Sequence, residues 1–415
     1  MTAWIKIGLR NIVKNLRRSV ITALAIALGF AAVNLFAGFT NYMYTGNRDI
    51  AIYGKCGGHL TIFRKDFLEK GRLNPAQYLL SPEEIRDVNA ICQDNPHVML
   101  VTPQLRITGL ASNGSISTIF IAQGIVPSAK RVFFSRMNAP KIGKIFEGRE
   151  LENDKSYGVA MTKGLARLLD LKVGSYAVAF TNTIYGQMNA LDMEVFQLLD
   201  AASDEMNDKI MQVPLAFART LYDTDGADKL AILLDDTKYT ESIRDQLQTA
   251  FSQRGLDLEA KTWEEMSEWY RKVKIMFDVI FAFLFSIVFI IVVMSVINTM
   301  SMVVVERTRE IGTLRALGLR RRGVMSLFAV ETSLLGVFGT IGGLFLTFIG
   351  WCAVDVIKPT WIPPGISRRM VISIEFVPEF MLYSFIFLIL LCLIASLIPA
   401  KRAAGQNVVD ALGHV

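Results

Sequence analysis

Histidine is nearly absent from this chain of 415 residues, and cysteine is scarce. The three histidines, His59, His97 and His414, are scattered and form neither a metal pattern nor a triad. The four cysteines, Cys56, Cys92, Cys352 and Cys392, show no spacing of the kind that binds zinc. Cys352 and Cys392 fall in apolar runs and read as small packing residues. Cys56 and Cys92 fall in a soluble stretch, where a disulfide is chemically possible; two free thiols are the expectation. No Gly-x-Ser-x-Gly elbow occurs. A glycine-rich phosphate cradle ending in Lys-Ser/Thr is missing too. The nearest string, residues 143–150, has the glycine spacing but ends in Arg149-Glu150. No basic face interleaved with aromatics suggests single-stranded nucleic acid. The net charge of +6 is modest, and the basic residues gather at the ends of apolar runs, which suits membrane topology and not nucleic acid. The chain has no visible engine, so a partner must supply energy for any work it does.

What is present is hydrophobic length. Apolar residues make up 52% of the chain, and the mean hydropathy of +0.37 is well above what a soluble domain needs. The length suggests about two or three domains. Residues 1–18 carry Ile5, Leu9, Ile12, Val13 and Leu16 on one helical face and Lys6, Arg10, Lys14, Arg17 and Arg18 largely on the other. This predicts a cytoplasmic interfacial helix with its cations toward anionic lipid, or simply the basic flank of the next segment. Residues 19–44 read as a retained spanning helix, too long for a signal-peptide core, with Asn34 facing other helices. Residues 273–305 span again. No proline or glycine interrupts 264–305, so one helix of ~63 Å is expected from Trp263, about twice a ~30 Å hydrocarbon core, with part of it a stalk. Asp278 belongs at the outer interface of this helix. Residues 324–357 and 380–398 are the third and fourth spans, separated by an outer loop at 358–379 and followed by a tail at 399–415, with Pro399 ending the last helix. Five Lys/Arg precede Ser19, six lie in 306–323, and Lys401 and Arg402 follow the last span; the outer loop has Lys358, Arg368 and Arg369. This asymmetry puts both termini and the 306–323 loop in the cytoplasm.

Residues 45–272 form a soluble domain with its own core. Ser81-Pro82-Glu83-Glu84 is a capping box with proline at the first helical position, so a helix should run to about Cys92. Residues 105–120 alternate around Asn113-Gly114, a hairpin signal. Residues 164–169 read as a helix, Val173-Gly174 as a turn and 175–181 as a strand. Further on, 230–234 is strand-like, 241–253 helix-like and 256–260 a last strand. Without a βαβ repeat this is an α+β domain. The predicted fold is therefore an α-helical membrane protein with four spans and a large α+β extracytoplasmic domain between helices 1 and 2.

The stretch that organises the chain is Glu306-Arg307-Thr308-Arg309-Glu310-Ile311-Gly312-Thr313-Leu314-Arg315-Ala316-Leu317-Gly318. Thr308 reads as an N-cap, Glu310 suits the first turn, and Gly318 suits the residue past the C-terminus. Ile311, Leu314 and Leu317 give an apolar face; Glu306, Arg307, Glu310 and Arg315 give a polar one. A short amphipathic helix at the membrane face fits, and so does a solvated connector. In the third span, Gly336, Gly339, Gly342 and Gly343 allow close helix approach. Glu331, near its cytoplasmic end, is either a functional intramembrane carboxylate or a structural partner of a loop arginine, and the latter is expected.

The 306–318 string resembles the coupling segment of FtsX-like ABC permeases, the family of MacB-type and lipoprotein-releasing LolC/LolE-type permeases. Pro399-Ala400-Lys401-Arg402-Ala403-Ala404 with Val409-Asp410-Ala411-Leu412 resembles that family's C-terminal signature. Glu331 with the glycine series resembles its third span, and Gly58-His59-Leu60-Thr61-Ile62 the start of its outer domain. The resemblance implies a permease subunit, not an enzyme, at the inner membrane. It implies a second permease chain, homo- or heterodimeric, and a cytoplasmic ABC ATPase docked on 306–318. This chain would bind no metal or cofactor itself; ATP and Mg would sit in the ATPase. The motion would pass to the outer domain and act on amphipathic cargo such as lipoproteins. An alternative within the family is control of an extracytoplasmic partner such as a cell-wall hydrolase. A secondary transporter is a weak third reading, since four helices without an evident inverted repeat or midplane ion site do not suit it. The methionine-rich run 181–211 offers Tyr185, Met188 and Met193 as contacts for cargo or a carrier protein, against the plainer reading that they fill the core.

Overall fold

The computed structural model describes residues 2–71, 73–137, 146–200, 204–361 and 369–406. The 143–150 string lies partly outside these residues, and 409–412 and His414 lie wholly outside. The chain divides into two compact units. One holds Met1–Met43, Val273–Thr360 and Val371–Val415; the other holds Tyr44–Lys272 and Trp361–Met370.

The first unit is helical. Among the described residues, four helices are long and apolar enough to cross a membrane, over Leu16–Gly54, Glu268–Glu306, Arg321–Ile357 and Pro378–Gly405. Several boundaries differ from expectation. The interfacial helix is Thr2–Lys14, and the chain breaks at Asn15 before the first long helix, Leu16–Asp49, which continues as a wide turn at Ile50–Gly54. The second long helix does not begin at Trp263. Thr262 and Glu265 close a capping box that starts a four-residue helix, Trp263–Met266; Ser267 then leaves helical geometry at φ −105° and ψ 78°. The long helix starts afresh at Glu268 and runs 39 residues, ~58 Å. A start signal read too early accounts for the difference; no proline or glycine was needed to break the chain. Nor does Pro399 end the fourth helix, which runs through it to Gly405. Ala400, Ala403 and Ala404 are buried in the core, and their packing holds the turn that proline weakens.

Small residues decide how these helices meet. A Cβ added at Gly339 would lie 2.7 Å from Ile26 Cβ, and one at Gly343 2.7 Å from Phe30 Cβ. The third helix therefore touches the first where only hydrogen fits. Gly342 is looser, at 3.6 Å from Ala27 Cβ, and Gly336 faces Cys392 Cβ at 3.4 Å. Asn34 does face its neighbours: its amide donates to Phe30 O at 2.8 Å and its oxygen accepts from Ser384 Oγ at 3.1 Å. A buried amide satisfied across two helices is stable in an apolar surround.

The second unit is built on ten strands: β1 Leu60–Arg64, β2 Val98–Ser112, β3 Ser117–Ile125, β4 Phe146–Gly148, β5 Gly158–Thr162, β6 Tyr176–Asn182, β7 Met188–Leu199, β8 Ile210–Pro214, β9 Lys229–Leu234 and β10 Leu258–Thr262. β10, β1, β9 and the first half of β2 make an antiparallel sheet. Helices Pro82–Gln93 and Thr240–Gln253 supply Val88, Cys92, Ile243, Leu247 and Phe251 to one face. The Ser81–Glu84 capping box is present on both sides, as the sequence predicts. The other face carries Ile52, Cys56, Phe133, Trp263 and Tyr270. All four cysteines are free, with Cys56 and Cys92 in separate clusters.

The second half of β2 enters a ring. β2 pairs β3, β3 pairs β8, β8 pairs β5, β5 pairs β7, β7 pairs β6, and β6 returns to β2. This six-stranded closure removes the edges an open sheet would expose. Ile107, Phe120, Val159, Met193 and Val213 fill it, joined by Leu215, Phe217, Ala218 and Leu221 of the helix Leu215–Tyr222. Gly109 is required where β6 meets β2, because any Cβ there would overlap the Phe180 carbonyl oxygen.

Candidate functional site

The helix Thr308–Ala316 follows directly on the second long helix. Its N-cap is Arg307, not Thr308; the Thr308 hydroxyl instead donates back to Val304 O at 2.9 Å. The C-terminus closes as expected. Gly318 has φ +98°, its N–H reaches Arg315 O at 3.0 Å, and the Leu319 N–H reaches Leu314 O at 3.0 Å. Only a residue without Cβ takes this left-handed turn freely.

The two faces differ from those drawn on the sequence. Thr308, Ile311 and Gly312 are buried, and Ile311 joins the core of the helical unit. Leu314 and Leu317 point away, 41% and 80% exposed. Glu310 and Thr313 are exposed beside them. Positions 310, 313, 314 and 317 share one helical face, and exposed Arg309 and Ala316 flank it, so the exposed surface carries two leucines, one carboxylate and one guanidinium. The expected apolar face is thus split between core and surface. The three-residue spacing could not show that, because it drifts around the helix by 60° per step.

The arginines assigned to the polar face are anchors. Arg307 Nη1 lies 3.4 Å from Glu331 Oε2; the carboxylate is buried and the guanidinium is largely covered. Asn11 of the N-terminal helix donates to the same carboxylate oxygen at 3.2 Å. Gly8, one turn earlier, packs on Leu334. The N-terminal helix therefore lies against the third long helix, while Ile7, Leu9 and Val13 remain exposed. Glu306 is half-exposed and pairs with Arg18 at 2.6 Å. Arg315 donates to the Gln406 carbonyl at the end of the fourth helix. Thr22 and Thr299 share a hydrogen bond of 2.6 Å. Glu331 and an arginine of the loop were foreseen as partners; Asn11, Arg18 and Gln406 were not. Asn11 could have been suspected from its place beside Gly8 on an otherwise charged or apolar helix. The short helix is thus tied at its N-cap, through Arg307, to Glu331 of the third long helix and near its end, through Arg315, to the end of the fourth, while Glu306 just before it holds Arg18.

In the second unit, Tyr185 and Met188 stand at the β6–β7 hairpin, 72% and 80% exposed, with Gly186 at φ +82°. Met193 does not join them. It is 1% exposed inside the ring, because five residues along β7 it has alternated to the inner face. Leu110 and Ile119, cross-strand partners on β2 and β3, are also exposed on the outside of the ring. His59 is fully buried; its Nδ1 accepts from the Leu234 N–H at 3.0 Å and Nε2 lies 3.2 Å from Thr237 Oγ1. It is a packed structural residue. Among the described residues no His, Cys, Asp or Glu group could hold a metal.

Residues 282–408 match the family described as FtsX-like permease C-terminal, and residues 19–250, more than half the chain, match the MacB-like periplasmic core domain. An uncharacterized ABC transporter permease of Methanocaldococcus jannaschii is 25% identical over 280 residues, covering 65% of each chain, just under two thirds. The lipoprotein-releasing system transmembrane protein LolC of Xylella fastidiosa is 25% identical over 348 residues, covering 78% of this chain and 80% of that one. A macrolide export ATP-binding/permease protein MacB of Yersinia pestis is 32% identical over 119 residues, 29% of this chain and 17% of that one. Among solved structures, the extracellular domain of the ABC-type transporter YknZ from Gram-positive bacteria aligns with 49% of this chain at 17% identity and a TM-score of 0.34.

Proposed function

The chain belongs to the FtsX-like permeases with a MacB-like periplasmic core domain, and on that premise we propose that it is the permease subunit of an ATP-driven ABC transporter. One observation carries the reading. The helix Thr308–Ala316 buries Thr308, Ile311 and Gly312 and leaves Arg309, Glu310, Thr313, Leu314, Ala316 and Leu317 exposed. An exposed pair of leucines flanked by charge, on a helix anchored by Arg307 on Glu331 and Arg315 on Gln406, suits a docked protein that pushes. The partner is a cytoplasmic ATPase, with ATP and Mg bound there. Closure of the ATPases would move this helix, and the second and third long helices with it. The outer domain would then act on amphipathic cargo such as lipoproteins. A second permease chain completes the assembly. Both termini face the cytoplasm at the inner membrane, following the charge asymmetry.

Purification of the tagged full chain in mild detergent tests this reading. An ABC ATPase and a second permease copy or homologue should come with it. Recovery of a cell-wall hydrolase without any transport defect on deletion would favour a regulatory role instead. The orientation is tested by Ser115→Cys, an exposed site in the β2–β3 turn. It should label from outside intact cells, and protection until lysis would refute it. For cargo, Tyr185 and Met188 are the proposed contacts. Serine at both should impair cargo handling while ATPase activity and expression hold; unchanged handling would return the turn to a plain surface loop.

A further inference from the structure

Four neighbouring strands place a polar row on one face of the second unit. Lys229 of β9 is the register partner of Gln104 on β2. Gln123 of β3 is the register partner of Gln212 on β8. The amides link the pairs: Gln123 Nε2 donates to Gln104 Oε1 at 2.8 Å, and Gln104 Nε2 donates to the Cys56 carbonyl at 2.6 Å. From the helix Pro127–Ser135, Lys130 reaches over the row; its Nζ lies 2.6 Å from Gln212 Oε1 and 5.6 Å from the Phe134 ring centre. Both lysines are half-buried.

What the row lacks is a negative charge in contact. Among the described residues neither Lys130 nor Lys229 has an ion pair. Asp228 and Glu150 act on them only at a distance; Asp228 is held by the Arg106 N–H at 2.6 Å, and Glu150 faces Arg131 at 3.5 Å. Residues 138–145, which follow the Lys130 helix, contain no Asp or Glu. Partly desolvated ammonium groups without a counter-charge are costly unless something anionic completes them. Long lysines often lie on apolar surface and keep the charge in water. That account fits poorly here. Lys130 spends its ammonium on a glutamine carbonyl and an aromatic face, and burial lowers the proton affinity of both lysines.

We propose that Lys130 and Lys229, with the Gln104–Gln123–Gln212 row between them, form a binding site for a phosphate-type oxyanion. The anion would accept charge-assisted hydrogen bonds from both ammonium groups and a further one from the amide N–H of Gln212, which has no partner among the described residues. A lipid phosphate headgroup and free phosphate share this chemistry. The site lies wholly within the second unit and does not depend on the transport reading.

The test uses the full chain in dodecyl maltoside micelles, which carry no phosphate. One arm adds inorganic phosphate at fixed ionic strength; the other adds phosphatidylglycerol to the micelles. Thermal unfolding is followed for the wild type, for Lys130→Gln with Lys229→Gln, and for Lys229→Arg. Saturating ligand at a hundredfold excess over Kd should raise the wild-type Tm by roughly 5–10 °C in at least one arm. The double variant should lose that shift and Lys229→Arg should keep most of it. A response to phosphate identifies the free anion; a response to phosphatidylglycerol alone identifies the headgroup. No shift of the wild type in either arm overturns the site, whatever the variants do. So does an equal shift in the double variant.

Discussion

At the scale of single residues, the buried Glu331 carboxylate beside the Thr308–Ala316 helix is held by Arg307 and Asn11. Removing Arg307 leaves that charge in low dielectric. We expect Arg307→Ala to cost about 3–5 kcal/mol of stability. Glu306→Ala breaks only the half-exposed contact with Arg18 and should cost under about 1 kcal/mol. Chemical unfolding of both variants in detergent measures the contrast, and similar losses for the two would show that burial does not set these values. A second residue-level expectation concerns acid. Burial, helped by Arg48, pushes His59 down to about 4, and burial pushes Asp228 up to about 6. Below pH ~6.5 the unfolded chain takes a proton that folded His59 refuses, so stability falls by about 1.4 kcal/mol per unit down to pH ~4. Asp228 acts with the opposite sign: between pH ~3.8 and ~6 its folded form holds a proton the unfolded chain has released, so stability falls as pH rises. The two offset each other across that window. Asp228→Asn should therefore steepen the loss of Tm on acidification from pH 6 to 4, and parallel profiles for wild type and variant would contradict the assignment.

At the scale of elements, the glycines of the third long helix make a graded prediction. Gly343→Ala and Gly339→Ala place a Cβ 2.7 Å from Phe30 Cβ and Ile26 Cβ, so the helices must part; each should cost about 1–3 kcal/mol. Gly342→Ala meets Ala27 at an ordinary 3.6 Å and should be nearly neutral. Unfolding of the three variants checks the order, and an equal cost at all three would remove the packing role. The same helices show what the sequence makes legible. The long apolar runs, the Ser81–Glu84 box and the Gly318 turn rest on local chemistry, and each is present in the structure. Local signals failed where tertiary packing won: the helix that continues through Pro399, and the stripe in which Ile311 is core while Leu317 is surface. The ring of β2, β3, β8, β5, β7 and β6 was out of reach for a different reason. Its closure depends on pairings far apart in sequence, such as Leu110 with Phe180, and no short window carries them. Met193 was misplaced as a cargo contact because its β7 register was not known.

At the scale of the whole molecule, we propose that motion enters through the exposed face of the Thr308–Ala316 helix. That claim is tested most directly by charge on the exposed leucines. Leu314→Asp and Leu317→Asp lie on the surface, so each full-length variant should insert and run as a single species in detergent. Recovery of the ABC ATPase with the tagged chain should then drop at least about tenfold, the scale of losing one central apolar contact of ~1.4–2 kcal/mol. Unchanged ATPase recovery from both well-behaved variants would contradict the account and place the docking surface elsewhere on the chain.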